Sequence, residues 1–232
     1  MNTVKGFTLI ELLINLLIAS SLSLAAVKWF QMTTETVMAQ RAFMDGNEAG
    51  RFTVRYLSDQ IQQAGLGVKN GIDVSKQQDS DVLIVQYSSM SPDGRELFNC
   101  LGNGTNTSDF SDEFRIETYD EGGRELKCSS GNSADWISEN IKSMRFILGI
   151  DQGRFINNEF IYGEFDRKID AYIASDDFSS ERMNVLAVKV IISTYRPSEL
   201  SMFSRVFWSQ KVQGSESDVS REFQTTIFLP NT

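Results

Sequence analysis

Glu11 is a single carboxylate near the start of a long apolar run. Between residues 7 and 27 the strongly polar side chains are Glu11 and Asn15, with a few serines and threonines. An α-helix of this length rises roughly 31 Å, about the thickness of the hydrocarbon core of a bilayer. Burying an ionised carboxylate there costs on the order of a few kcal/mol, so a functional role is the default hypothesis for Glu11.

The composition excludes several other kinds of chemistry. The 232 residues contain no histidine and carry a formal net charge of −9. Without histidine, Ser-His-Asp and Cys-His nucleophilic catalysis and the usual zinc sites are ruled out. A surface this acidic does not favour nucleic acid, because phosphate contacts need lysine and arginine. No carboxylate pair is singled out for glycoside hydrolysis, so we predict no enzyme activity, no catalytic residue and no cofactor.

Cys100 and Cys128 are the two cysteines of the chain. In a protein whose bulk lies outside the cytoplasm, an even pair indicates a disulfide, and two buried free thiols are the alternative. Closing this loop would stabilise the fold by roughly 3–4 kcal/mol in the chain-entropy model. Because the two residues are far apart in sequence, unlike a C-x-x-C pair, a structural role is predicted rather than a redox one.

Two acidic clusters have the residue types of a calcium site. They are Asp109, Asp112 and Glu113 in one cluster and Asp176 with Asp177 in the other. Neither has the alternating ligands and the glycine of an EF-hand loop, so solvated loop charge, without a metal, is the prediction. Residues 103–108 match the short N-glycosylation consensus twice, and we interpret this stretch as a polar loop.

The start of the apolar run, Gly6-Phe7-Thr8-Leu9-Ile10-Glu11-Leu12, closely resembles the class III signal of type IV pilins and pseudopilins. In that family a prepilin peptidase cuts after the glycine, and the new amino terminus is methylated. The resemblance implies that Gly6 precedes the cut and that Phe7 is the first, N-methylated residue. Pairing of the Phe7 amino group of one subunit with Glu11 of a neighbour would relieve the cost of burying both. Glu11 is therefore the predicted assembly contact.

Two other interpretations of this run remain open. An ordinary secretory signal needs a basic n-region, an apolar h-region and a small-x-small cleavage site. Ser23-Leu24-Ala25 has that form, but Glu11 would then be unexplained. A plain single-span anchor is the second alternative, and processing after Gly6 would separate it from a pilin.

One long helix has to position these residues. Residues 31–64 keep the helical period but become amphipathic, with aliphatic side chains on one face and charged ones on another. Phe52 and Tyr56 form a second apolar strip, which either faces neighbouring subunits or wraps a single core. Gly65 follows the last periodic residue and predicts the end of the helix. No proline interrupts it, whereas major pilins typically carry one, so the major subunit is not expected.

The remainder of the chain predicts strands separated by Gly, Asn, Asp and Ser clusters. The runs are residues 82–87, 114–119, 124–128, 143–150, 186–192 and 223–229, of which the second and third form a hairpin. Strands that follow one long helix predict an α+β class with an antiparallel sheet. With the pilin resemblance, this becomes a pilin-like fold in which a long N-terminal helix, membrane-spanning in its first half, packs on an antiparallel β-sheet domain.

The same features predict four parts of the chain. They are the leader peptide (1–6), the transmembrane and polymerisation half-helix (7–30), the amphipathic second half (31–66) and a periplasmic or extracellular β-rich domain (67–232). The Lys28-Trp29-Phe30 cluster, at the end of the second part, is typical of a membrane interface.

Further landmarks resemble the PilW type of minor pilin in their order and spacing. They are residues 48–52, 57–61, 64–65, 80–83, 100–102, 141–151 and 223–227. The resemblance implies a low-abundance subunit that helps to initiate and cap type IV pilus assembly, at or near the tip. The adhesion and twitching motility that such pili support come with it.

The resemblance also implies partners and a location. The partners are other minor pilins, the major pilin, the prepilin peptidase, the inner-membrane assembly platform and a PilY-type tip adhesin. The chain would reside in the inner membrane, with its bulk in the periplasm, before assembly and in the surface pilus afterwards. A GspJ-type pseudopilin of type II secretion is the alternative in the same class. A periplasmic enzyme or receptor on a single-span anchor is the alternative from a different class.

Overall fold

The structure, a computed structural model, describes residues 8–68, 71–91, 94–104, 109–118, 124–156, 159–162, 166–178, 183–194 and 221–230. The elements in chain order are α1 (Leu9–Gln63), β1 (Ile72–Gln77), β2 (Ser80–Tyr87), β3 (Phe110–Thr118), β4 (Arg124–Ser130), β5 (Ser133–Glu139), β6 (Ile141–Asp151), β7 (Gly153–Ile156), β8 (Glu159–Tyr162), β9 (Ala171–Ala174), a 3-10 helix (Ser175–Asp177), β10 (Asn184–Thr194) and β11 (Arg221–Phe228). The chain divides into two units between Met44 and Asp45.

Five strands of the second unit form an antiparallel meander in the order β1-β2-β3-β4-β5. The predicted hairpin is confirmed as the β3–β4 pair, in which Phe114 lies opposite Cys128. Its connecting residues, 119–123, lie outside the described part. The flanking strands β1 and β5 were not predicted, because β5 is rich in polar residues without a clear alternation and β1 alternates over only four residues, 72–75, before a polar end. Such sequences are typical of sheet edges, where only one neighbour is paired.

Four further strands form a second antiparallel sheet in the order β11-β10-β6-β9, and β7 pairs with β8 separately. The three long strands of this sheet correspond to the predicted runs 143–150, 186–192 and 223–229. Their alternation in sequence matches burial, since Phe146, Leu148, Val188 and Val190 are all buried. One long helix with antiparallel sheets confirms the predicted α+β class.

The second half of α1 packs on the sheets through one face. Leu57, Ile61 and Ala64 are fully buried and belong to the same core cluster as the inward residues of both sheets. Gly50 lies against the ring of Phe223 on β11, so close that a Cβ there would be 2.3 Å from two ring carbons. A glycine in a helix costs about 1 kcal/mol relative to alanine. Here it permits the helix to approach β11.

Phe52 and Tyr56 of the helix do not form a second, separate face. Tyr56 is half-buried against the core and meets the Phe114 ring edge-on, with centroids 6.2 Å apart. Phe52 stacks on Tyr56 and remains 50% exposed. The structure therefore favours aromatics that wrap a single core, with Phe52 at its margin.

The helix ends at Gln63, as the glycines that follow it predict. Gly65 has a φ of 77°, which is the left-handed conformation that glycine adopts without strain. Its N–H donates to the carbonyl of Gln86 on β2 at 3.0 Å. The end of the helix is thus joined directly to the first sheet.

Buried polar side chains connect the two sheets. Ser80 Oγ exchanges hydrogen bonds with the backbone of Met144 on β6. Asp81 is buried, and its two oxygens accept from the Phe146 N–H and from the Ser175 hydroxyl, each at 2.7 Å. Hydrogen bonds to a charged group are stronger than neutral ones, so Asp81 links β2, β6 and the 3-10 helix. Ser80 and Asp81 were predicted only as part of a family landmark, and the structure gives them this bridging role.

Candidate functional site

The amino-terminal site lies where α1 begins. Gly6 and Phe7, the predicted cleavage and methylation residues, are outside the described part of the chain. Thr8 precedes the helix, and its backbone N–H and hydroxyl both donate to Glu11 Oε2, at 3.1 and 3.0 Å. The Glu11 N–H donates in turn to the Thr8 hydroxyl oxygen at 3.4 Å.

This reciprocal pattern is a capping box, in which Thr8 is the N-cap and Glu11 the third helical residue. It provides partners for N–H groups that the first turn of a helix leaves free, and it places a negative charge at the positive end of the helix dipole. Sequence reasoning assigned Glu11 to an intersubunit contact and overlooked Thr8, although the T-x-x-E spacing was visible. In the single chain, the carboxylate therefore has a partner of its own.

The helix beyond this cap has an apolar surface without a covering layer. Among the described residues, α1 is the one helix long and apolar enough to cross a membrane, with a window of mean hydropathy 2.0 of which none is buried. Leu16 and Leu17, for example, are 60% and 71% exposed. Such a surface is stable in lipid or against other apolar helices, and unfavourable in water.

The serine hydroxyls of this segment form hydrogen bonds within their own helix. Ser20, Ser21 and Ser23 donate to backbone carbonyls three or four residues earlier, at 2.8–2.9 Å. A hydroxyl bonded in this way adds little cost to a helix in hydrocarbon. Farther along, Trp29 and Phe30 are exposed, as expected of residues at a membrane interface.

A second cluster surrounds the cysteines. Cys100, in the connection between β2 and β3, is joined by a disulfide to Cys128 on β4, and their Cα atoms are 6.4 Å apart. Asp112, on β3, is fully buried beside them. A carboxylate oxygen of Asp112 and the two sulfur atoms all lie within 4.8 Å of one another.

The Cys100 backbone is held from two sides. Its N–H donates to Asp112 Oδ2 at 2.7 Å, and the same oxygen accepts the Tyr87 hydroxyl at 2.7 Å. Its carbonyl accepts the Tyr56 hydroxyl of α1 at 2.8 Å. Burial raises the pKa of Tyr56 to about 12, with a further contribution from the Asp112 charge. Burial, and then the hydrogen bond to Asp112, also raises the pKa of Tyr87.

The prediction of solvated loop charge is wrong for Asp112, which lies inside a strand and faces the core. The alternation of β3 gives the reason, because Phe110, Asp112 and Phe114 share its buried face. With Cys100 and Cys128, the carboxylate has the spacing of a metal-ligand group. The disulfide uses both sulfurs, however, and thiolates are the form that binds metals. The geometry therefore does not support a metal centre in the oxidised protein.

In the other acidic cluster, Asp176 with Asp177, the first residue forms an ion pair. Asp176 accepts from Lys76 Nζ at 2.6 Å, and both side chains are about half exposed. The hydrogen bond from Lys76 to Asp176 raises the pKa of the lysine. Of the predicted polar loop, residues 105–108 lie outside the described part.

The comparisons with known proteins give few matches. No protein-family model matches the chain, and no curated protein sequence matches it. Among solved structures, the chain is similar to a type IV-like pilin from Thermus thermophilus, with 10% sequence identity and a TM-score of 0.41. The match covers 80% of this chain and 97% of the pilin.

Proposed function

We propose that this chain is a non-catalytic minor pilin, cleaved after Gly6 and incorporated into a type IV pilus by its amino-terminal helix. Glu11 carries the proposal, since it is the one carboxylate of an otherwise lipid-compatible helix surface. A neighbour's Phe7 amino group is the partner that would compensate its burial. Because of the capping box, Glu11 has to exchange or share its contact with Thr8 when its carboxylate pairs with the amino group of a neighbouring subunit.

The apolar surface of α1 supports storage in the inner membrane before assembly and packing between helices afterwards. In both environments the exposed leucines and isoleucines are removed from water, which is favourable for apolar side chains. From Asp45 onward one face of the helix packs on the sheets of its own chain, so the segment before Asp45 is the part available to other subunits. In this proposal the partners are other minor pilins and the major pilin.

The PilW-type landmarks extend the proposal to a role at or near the pilus tip, in initiating and capping assembly. Several of these landmarks coincide with residues that hold the domain together, such as Asp81, Cys100 and Asp151. A GspJ-type pseudopilin is the second candidate, because the helix without proline is shared by that class. Deleting the gene and measuring piliation and type II secretion separately would distinguish the two candidates.

Three variants separate the charge of Glu11 from its role in the cap. Glu11→Gln keeps the capping box, which accepts glutamine, but removes the charge. Thr8→Val keeps the charge and removes the hydroxyl of the cap. Glu11→Ala removes both. The readouts are the cleaved fraction of the membrane pool and the amount of this chain in sheared surface fibres.

If the charge is the assembly contact, Glu11→Gln and Glu11→Ala are cleaved normally and their incorporation falls at least about tenfold, which corresponds to about 1.4 kcal/mol. Thr8→Val then assembles nearly as well as the wild type. The opposite ranking, in which Thr8→Val fails and Glu11→Gln assembles, would mean that Glu11 serves its own helix. Normal piliation in all three variants would reject the assembly contact altogether.

A further inference from the structure

Asp112 has one carboxylate oxygen whose role the fold does not explain. Oδ2 accepts two hydrogen bonds, whereas Oδ1 is buried and has no hydrogen-bond partner within the described residues. A buried oxygen without a partner is costly, and most buried polar atoms have one. The carboxylate lies beside the disulfide, with an oxygen within 4.8 Å of both sulfurs. The carboxylate therefore lies next to the bond that a reductant would attack.

Reduction of a disulfide by a thiol places negative charge on the sulfurs. An attacking thiolate forms a bond to one cysteine sulfur while the Cys100–Cys128 bond breaks, and the other sulfur leaves with the electron pair as a thiolate. That thiolate takes a proton from water. The second thiol of the reductant, as a thiolate, then attacks the reductant sulfur of the mixed disulfide. The remaining cysteine sulfur leaves with the electron pair and is protonated, which gives two cysteine thiols and the cyclic oxidised reductant. A carboxylate next to the reacting sulfurs opposes both the arrival of a thiolate and the departure of one.

We infer that the Asp112 carboxylate protects the Cys100–Cys128 disulfide from anionic thiols by electrostatic repulsion. Burial contributes as well, since Cys128 is fully buried and Cys100 nearly so. The charge acts at short range in a buried site, where interactions between charges are screened least. The inference is independent of the proposed pilus function.

The test uses the full-length protein in detergent, with the variant Asp112→Asn. Asparagine has the same shape, and its amide oxygen can accept from both Tyr87 and Cys100, so the clamp is kept while the charge is lost. The control is Asp151→Asn. Asp151 is also fully buried and accepts two backbone N–H groups, from Gly153 and Arg167, but belongs to the other sheet.

The rate of reduction is followed by alkylation of the released thiols and intact mass, with two reductants. Dithiothreitol attacks as a thiolate. A neutral trialkylphosphine attacks without a charge, and the positive charge that forms on its phosphorus offsets the negative charge of the departing thiolate. Asp112→Asn should accelerate reduction by dithiothreitol at least about tenfold and change the phosphine rate less than about twofold. Asp151→Asn should leave the ratio of the two rates as in the wild type.

Equal acceleration with both reductants would mean that the variant merely opens the fold, and an unchanged rate with dithiothreitol would mean that the charge has no effect. Either result overturns the inference. If Asp112→Asn does not fold, the wild type is compared with a neutral peptide disulfide in about 0.5 M salt, which screens the exposed charges. The ratio of the dithiothreitol rate to the phosphine rate should then be at least about tenfold lower for the protein. An equal ratio would contradict the inference.

Discussion

The amino-terminal half of α1 and the β-rich unit distribute their polar and apolar groups in opposite ways. In the first, leucines and isoleucines are exposed and the serines bond to their own backbone. In the second, the apolar residues form a core and three aspartates, Asp81, Asp112 and Asp151, are buried among hydrogen-bond donors. Each arrangement suits a different solvent.

This contrast in apolar exposure indicates which part of the chain depends on other molecules. The β-rich unit has a buried apolar core of its own, and a disulfide and buried polar contacts connect its strands. The helix segment from Leu9 to Met44 has no such cover within the described chain. A change in the first region should therefore alter membrane insertion or assembly, and a change in the second should alter the free energy of unfolding.

The largest expected effect on the β-rich unit comes from the disulfide. The double variant Cys100→Ser with Cys128→Ser should lower the free energy of unfolding by about 3–4 kcal/mol, because the unfolded chain loses its cross-link. Urea unfolding of the full-length protein in detergent, followed by tryptophan fluorescence, measures this. Wild-type protein reduced under the same conditions is the control and should lose a similar amount. A loss below about 1 kcal/mol would show that the unit does not depend on the cross-link.

The second effect tests the buried connection between the sheets. Asp81→Ala leaves the Phe146 N–H and the Ser175 hydroxyl without their acceptor, which should cost about 3 kcal/mol. Asp79→Ala is the matched control, since the Asp79 side chain is 84% exposed and its ion pair with Arg124 is long, at 3.8 Å. It should cost less than about 0.5 kcal/mol. Similar losses in the two variants would contradict the role of Asp81.

The third effect concerns the approach of the helix to β11. Gly50→Ala gains about 1 kcal/mol of helix propensity but inserts a methyl group into the Phe223 ring, at a cost of about 1–3 kcal/mol. We expect a net loss of about 1 kcal/mol in thermal or urea unfolding. Combining it with Phe223→Leu should recover part of that loss, whereas Glu48→Ala, at an exposed position, should be nearly neutral. A stabilised Gly50→Ala variant would mean that the contact is loose.

The smallest effect is a pH dependence on the outer face of β3 and β4. The hydrogen bond from Lys127, at 2.8 Å, lowers the pKa of Glu117, and the Arg115 charge adds to it. Because the folded pKa is lower than the unfolded one, the contribution of Glu117 is complete above about pH 4.5 and is lost as the pH falls through the folded value.

Glu117→Gln should therefore lower the free energy of unfolding by about 0.5 kcal/mol at pH 7, and the difference from wild type should shrink below about pH 4.5. Urea unfolding at a series of pH values checks this, with Glu48→Gln, on the exposed helix surface, as the control. A difference that grows towards acid pH would have the wrong sign.

The sequence alone predicted the elements whose patterns are local. The apolar run, the amphipathic second half of the helix and the alternating strands β10 and β11 were all visible, because burial on one face produces a regular period. The α+β class, with one long helix on an antiparallel sheet, followed from them, but the division into separate sheets did not. The structure also pairs the two cysteines for which the sequence indicated a disulfide.

Contacts between distant segments were not predictable in this way. Asp112 looked like loop charge because its donors, Tyr87 and Cys100, come from another strand and a connection. Asp81 depends on Phe146 and Ser175, which are 65 and 94 residues away in sequence. The edge strand β5 was missed because an exposed edge requires no apolar pattern. Thr8 is the exception, since its capping signal was local and was overlooked.

The most direct test of the central claim is the intact mass of this chain from cells that produce surface fibres. If the chain is a processed pilin, we expect a mature chain that begins at Phe7 and carries one methyl group on its amino terminus. The Gly6→Val variant should remain at the mass of the full precursor. A wild-type chain that still begins at Met1 would indicate a plain anchor. A chain cut after Ala25 would indicate an ordinary secretory signal. Either of these masses would contradict the proposal that the helix is a processed pilin segment.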